Sequence, residues 1–255
     1  MNPPRLSSSQ ASSAAGPWIG IVAAFPWEVR PLLRYRSRAQ RNQSLPKPSQ
    51  QCGSGFQVHS LILGQESVLV IAGGAGAENS FRAAHYLARN FPLRGLITLG
   101  FAGGLATGLK PGEVILADRV LEEATRQRFE CQTGLLPVRF DRHGNLLSVN
   151  AVVSTSIQKR SLGEQWGALA VDMESAGVAR AASEAGLPFC AIKSITDSAE
   201  QSLSVDFSRC RSEDKDFSLR AVVRQGLTTT KGAGDLIRLA WNARQAAGAL
   251  AAALH

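Results

Sequence analysis

Short apolar runs that alternate with helical stretches limit what this chain can fold into. Trp18–Ala24, Ser67–Ala72, Leu93–Leu99 and Leu187–Ile195 each read as a buried strand. Ala77–Asn90 and Asp172–Ala185 carry helical patterns between them, and Gly186 sits where a left-handed residue closes the second helix. Phe56–Leu63, Glu113–Ala117, Ala151–Thr155 and Ala168–Val171 read as further strands. A first helix is expected from Glu28 to about Tyr35, and a long Ala/Leu-rich amphipathic helix from Asp235 to Leu254. This alternation predicts an α/β layered domain with a mixed, largely parallel sheet.

The organisation reads as a lead followed by one domain. Residues 1–16 are rich in Pro, Ser and Ala and lack an apolar stretch, so they read as a disordered lead rather than a secretory signal. Residues 17–255 show neither an internal repeat nor a clear linker. Residues 37–55 read as a loop, and 121–150 and 200–231 carry little pattern. No apolar run reaches the roughly 18–20 residues that a membrane-spanning helix needs, and a cytoplasmic location is expected. Cys52, Cys131, Cys190 and Cys210 form no CxxC pair, and no His stands at ligand spacing, so no metal is expected. Cys190 reads as a small core residue.

Lys and Arg number 28 against 20 Asp and Glu, a net charge of +8. Part of that excess is local: Arg30, Arg34, Arg36, Arg38, Arg41 and Lys47 stand in a stretch without an acid. A solvated loop explains it. A contact with an anionic inner-membrane surface is the sharper reading. Nucleic acid is disfavoured, because only Tyr35 is available there for stacking.

Ligands in α/β sheets sit beyond the C-terminal ends of strands. Glu28, Gly73-Gly74-Ala75-Gly76, Gly100-Phe101-Ala102-Gly103-Gly104, Glu174 and Asp197 all follow predicted strands. Glycine lets a backbone approach a ligand, and a following helix offers free N–H groups. Tight turns alone would explain the glycines. Glu28 and Glu174 have an ordinary reading as helix-start acids, and Asp197 as a turn residue. Their coincidence at one sheet edge favours polar chemistry on a bound small molecule.

The same residues resemble a family. Gly20-Ile21-Val22-Ala23-Ala24, with Glu28-Val29 after three residues, is similar to the opening of 5′-methylthioadenosine/S-adenosylhomocysteine nucleosidases. Gly73–Gly76, Thr98–Leu105 with Leu109–Val114, Val171-Asp172-Met173-Glu174-Ser175 and Ser194-Ile195-Thr196-Asp197 resemble further motifs of the nucleoside phosphorylase/nucleosidase superfamily, in its order. Ala170–Ser175 and Asp235–Ala240 most resemble the hopanoid-associated phosphorylases.

That resemblance implies a three-layer α/β/α fold and cleavage of the N-glycosidic bond of a purine nucleoside, adenine in particular. It also implies a homo-oligomer, a dimer or a trimer-based assembly. The hopanoid-associated resemblance implies adenosylhopane, a lipid-linked nucleoside, as substrate. By resemblance Asp197 protonates the leaving purine, Glu174 accepts from the ribose hydroxyls, Met173 packs on the sugar and Glu28 orients the attacking water. Phe101, Ala102 and Gly103 lie along ribose and base, and Ser156 and Ile157 stand near the base. No cofactor is implied, but inorganic phosphate is a possible co-substrate. It would sit at Gly74 and Ala75, aided by Arg30 or Arg82.

Two departures bear on this. The nucleosidases carry Ser at the position of Phe101, and the chain lacks the Gly-Asp-Pro-x-Arg phosphate motif of hexameric purine nucleoside phosphorylases. Phosphorolysis and hydrolysis both stay open at this stage. So does a non-catalytic protein that binds a nucleoside or lipid headgroup.

Overall fold

The computed structural model describes residues 18–34, 55–138, 140, 142–202 and 230–254. The predicted lead, most of the basic stretch and nearly all of 200–231 lie outside the described residues, as do Cys52 and Cys210. Nine strands are described: β1 (Trp18–Ala23), β2 (Val58–Leu63), β3 (Glu66–Ala72), β4 (Leu93–Gly104), β5 (Val114–Glu122), β6 (Arg128–Glu130), β7 (His143–Ser148), β8 (Ala168–Asp172) and β9 (Phe189–Asp197). The helices are α1 (Pro26–Arg34), α2 (Ala77–Asn90), α3 (Ser156–Trp166), α4 (Ser175–Glu184) and α5 (Thr230–Ala253). No helix among the described residues is long and apolar enough to cross a membrane.

The sheet is mixed, as expected. β1 lies parallel between β3 and β4, β4 runs parallel to β9, and β7 runs parallel to both β5 and β8. The β2–β3 hairpin, β4–β8, β5–β6 and β5–β9 are antiparallel. β4 decides the topology. Its first half pairs with β1, and its last two residues, Gly103 and Gly104, pair with Val171 and Ala170 of β8. With β9 along its other edge, the path β4–β9–β5–β7–β8 returns to β4 and curls that half of the sheet into a closed ring.

The faces of β4 serve two apolar layers. Leu96 and Ala102 join the cluster under α2 and α4, with Leu87, Ala83 and Val178. Ile97 and Leu99 join the other, with Leu32 of α1 and Leu250 of α5. Helices α2 and α4 touch because Gly177 has no side chain: a Cβ there would lie 1.9 Å from the carbonyl oxygen of Ala77.

Several expectations need correction. Gly100–Gly104 is not a turn after a strand that ends at Leu99; it is strand, continuing β4. The glycines there keep space for carboxylates, as described below. Ala151–Thr155 is not a strand. It leads into α3, a helix that the sequence pattern did not reveal, capped by the Thr155 hydroxyl, which accepts from the Gln158 N–H. The unpatterned 121–150 stretch contains β6 and β7, and β5 runs on to Glu122. Helix α4 starts at Ser175 rather than Asp172.

Candidate active site

Glu28 and Glu174 lie near each other, Asp197 ends β9 opposite Gly103, and each of the three acids is held by backbone or cation. Glu28, on the first turn of α1, turns back toward the end of β1. Its Oε2 accepts the N–H groups of Ala24 (2.9 Å) and Phe25 (3.1 Å). The carboxylate lies over Gly100, where a Cβ would approach Oε2 to 3.1 Å. Only a glycine leaves Glu28 undisturbed here, which is why β4 loses its side chains at this level.

Glu174 stands between β8 and α4. Its Oε1 accepts the N–H of Gly76 (2.8 Å) and its Oε2 that of Met173 (3.3 Å). Gly76 is the residue before α2 and has φ 90°, a backbone state that favours glycine. The glycine turn after β3 thus presents an N–H to a carboxylate of the protein itself.

Beneath these two acids lies a buried cation absent from the sequence reading. Lys193, in the middle of β9, is 2% exposed. Its ammonium contacts Asp172 Oδ2 at 2.8 Å and donates to Thr98 Oγ1 at 3.1 Å. The same Asp172 oxygen accepts the backbone N–H (3.0 Å) and hydroxyl (2.5 Å) of Ser175, so Asp172 also caps the start of α4.

Charge explains the behaviour of this group. Glu28, Glu174 and Asp172 surround one ammonium, Glu28 and Asp172 buried and Glu174 half-buried. Burial foremost, then the Glu174 charge, pushes Glu28 from 4.5 up to about 7, against the opposing pull of Lys193 and the two backbone N–H groups. Glu174 is likewise raised, by burial and by Asp172. Burial alone would lower Lys193, but Asp172, Glu174 and Glu28 together raise it, so it stays charged. Glu28 can therefore take up or release a proton near neutral pH.

Asp197 ends β9, across from Gly103, where a Cβ would meet its Oδ2 at 3.2 Å. Thr196 donates its hydroxyl to Asp197 Oδ1 at 2.7 Å. The second oxygen is ion-paired to Lys159 of α3, a fully buried lysine that the sequence reading also missed. Lys193 had a legible signal, since a cation inside an apolar strand needs a buried partner. Lys159 had none, because Gln158-Lys159-Arg160 is a short polar run in a stretch without helical pattern.

The remaining predicted residues divide. Met173 is partly buried beside Val171 and Leu147. Ala102 is core, and Phe101 packs against the cluster that holds Leu32 and Leu250. Gly74 and Ala75 form the turn into α2, where Asn79 Nδ2 donates to the Ala75 carbonyl at 2.9 Å. Arg30 and Arg82 are exposed on α1 and α2. Ser156 donates its backbone N–H to Ser202 Oγ at 3.0 Å, while Ile157 is 79% exposed. α3 therefore reaches the acids through Lys159 rather than through Ile157.

The chain is similar to proteins of known activity. A 5′-methylthioadenosine/S-adenosylhomocysteine nucleosidase of Exiguobacterium is 26% identical over 215 residues, covering 74% of this chain and 88% of that protein. The protein of the same name from Mycobacterium tuberculosis is 24% identical over 252 residues, covering 81% and 95%. Among solved structures, a Helicobacter pylori nucleosidase mutant with 5′-methylthioadenosine in its active site has a TM-score of 0.66 at 18% identity, covering 94% of this chain and 97% of that one. The futalosine hydrolase of the same organism has a TM-score of 0.66 at 17% identity, covering 93% and 95%. These structures share the three-layer fold. The family model of the Phosphorylase superfamily matches residues 19–152 and 133–226. With most of its length under that model, the chain belongs to the phosphorylase superfamily of nucleoside phosphorylases and nucleosidases, and it is an enzyme.

Proposed function

We propose that this enzyme hydrolyses the N-glycosidic bond of an adenine nucleoside. The observation that carries the choice of water is Glu28: a buried carboxylate raised to about 7, with one oxygen on two backbone N–H groups. A base poised near neutrality is suited to take a proton from water. The Glu174 carboxylate already occupies the Gly76 N–H at the start of α2, where a phosphate would otherwise look for donors. That arrangement favours water over phosphate.

The proposed steps take their residue roles from the family resemblance. Asp197 protonates the purine at N7 as the C1′–N9 bond breaks, and the bonding electrons leave with the base. An electron-poor ribosyl carbon remains. Glu174 accepts hydrogen bonds from the ribose hydroxyls, with Met173 against the sugar. Glu28 takes the proton of the water that adds to C1′. The nucleosidases and the hydrolase named above support this reaction type. Phe101, which packs into the core cluster, leaves the 5′-substituent as the open specificity question. A lipid-linked adenosine such as adenosylhopane belongs among the substrates tried.

The test is base release from adenosine, 5′-methylthioadenosine, futalosine and a lipid-linked adenosine, with and without phosphate. Free base with an unphosphorylated sugar is expected in both conditions. Sugar 1-phosphate as product would overturn hydrolysis. No base from any substrate would overturn the enzyme reading of this site.

A further inference from the structure

Helix α3 is built around one side chain. Of its eleven residues the only buried one is Lys159, at 0% exposure. This inverts the usual helix, in which the buried stripe is apolar and lysine faces water. The ammonium has three hydrogens and three partners: Asp197 Oδ2, the carbonyl of Ser198 (2.9 Å) and that of Gln201 (2.9 Å).

Both oxygens of Asp197 have partners. Oδ2 faces an ammonium. Oδ1 accepts from the Thr196 hydroxyl at 2.7 Å, a far better placed acceptor for that proton than the Ala102 carbonyl at 3.4 Å. Each oxygen of Asp197 thus faces a donor of the protein itself. The nearest proton belongs to Lys159.

Other charges do not compete. On its own strand, Lys193 is engaged by Asp172 and Thr98. β4 brings Gly103 and Gly104 against Asp197. Glu113, just before β5, accepts from the Lys110 N–H and pairs with Arg142. α5 sends Asn242, a neutral amide, to the Thr196 carbonyl at 2.8 Å, and its Asp235 pairs with Arg238. Glu200, after the strand, is exposed.

We propose that Lys159 sets the charge of Asp197 and is the source of the proton that Asp197 delivers to the departing base. The inference rests on the reading that Asp197 protonates the purine. As C1′–N9 breaks, negative charge grows on the base. Asp197 passes a proton to N7, and Lys159 passes one to Asp197. Lys159 ends neutral, the base leaves neutral, and the water that adds to C1′ gives its proton to Glu28. Exchange with solvent returns the proton from Glu28 to Lys159. Lys159 never touches the substrate, so it is a positioning residue that acts through Asp197.

The pH profile of kcat on the best purine nucleoside separates this from a plain tether. An ammonium donor and a lone carboxyl donor lose their protons in different pH ranges, so replacing the ammonium in Lys159→Gln should move the falling limb to lower pH, with kcat at pH 8 reduced on the order of 100-fold. Lys159→Arg keeps a cation that does not give up its proton, so it should hold the ion pair yet lose rate as Lys159→Gln does. Loss of rate in Lys159→Gln with an unmoved limb would mean a tether alone and would overturn the proposal.

An infrared difference between wild type and Asp197→Asn at neutral pH needs neither turnover nor a Lys159 variant. It should show a lost carboxylate band and no lost un-ionised carboxyl band. An un-ionised band at Asp197 would overturn the proposal even if the enzyme released no base. Failure to release base, with the carboxylate band present, would count against the hydrolase reading and not against the pairing.

Discussion

Glu28→Gln should make the protein more stable and inactive at once, and the size of the stability change follows from the site. Glu28 is 5% exposed and raised from 4.5 to about 7, chiefly because burial disfavours its charge. Below about pH 4.5 the group is neutral in folded and unfolded chains alike. Above about pH 7 it is charged in both. Between those values the unfolded chain gives up its proton first, so wild-type stability falls as pH rises across that window. At about 1.4 kcal/mol per pH unit the fall amounts to about 3 kcal/mol. Glutamine does not titrate, and its carbonyl can still accept from Ala24 and Phe25. The advantage of Glu28→Gln over wild type should therefore grow by about 3 kcal/mol between pH 4.5 and pH 8, measured by urea unfolding at each pH. In the same preparation kcat should drop by about 100-fold or more. A gap that stays constant with pH to within about 1 kcal/mol would refute the claim that Glu28 is strained toward its neutral form. It would remove the main argument for Glu28 as the base.

Asp197→Asn should lower kcat on purine nucleosides by about 100- to 10,000-fold while binding, followed by calorimetry, persists; a near-normal rate would end its role as acid. Lys193→Met removes the cation among Asp172, Glu174 and Glu28. It should destabilise the fold by about 3–5 kcal/mol at neutral pH, and the rising limb of the kcat profile should move to higher pH because Lys193 holds Glu28 down; an unmoved limb would place the two groups out of contact. Gly177→Ala would set a Cβ 1.9 Å from the Ala77 carbonyl oxygen, forcing α2 and α4 apart at a cost of at least about 3 kcal/mol. A melting temperature within a degree of wild type would contradict that packing.

What the sequence made legible was the alternation of elements and the acids at strand ends. Glu28, Glu174 and Asp197 each follow a short apolar run, and such positions converge in any α/β sheet. The glycines of β4 were harder to read. Gly100, Gly103 and Gly104 carry the usual mark of a turn, yet β4 needs them inside a strand. Gly100 and Gly103 leave room for the carboxylates of Glu28 and Asp197, and Gly103 and Gly104 join β8. That reason lies in side chains far away in sequence, so no local pattern carries it. Helix α3 escaped for a related cause: its one buried residue is a lysine, and periodicity of apolar residues is blind to it.

The two unexpected lysines give the site its asymmetry. Glu28 and Asp197 are both acidic groups on strand or helix ends, nearly equal in burial at 5% and 7% exposed. Burial alone would treat them alike. Lys193 is shared among three carboxylates, so its charge is divided and Glu28 is left near neutrality. Lys159 has Asp197 as its one carboxylate partner among the described residues, its other partners being the uncharged carbonyls of Ser198 and Gln201. A divided cation leaves Glu28 able to change its protonation near neutral pH; on the proposal above, the undivided one supplies the proton that Asp197 delivers. On the proposed reaction, the direction of proton flow, out of water at Glu28 and into the base at Asp197, follows from how two buried ammonium groups are apportioned among the four carboxyls of the site.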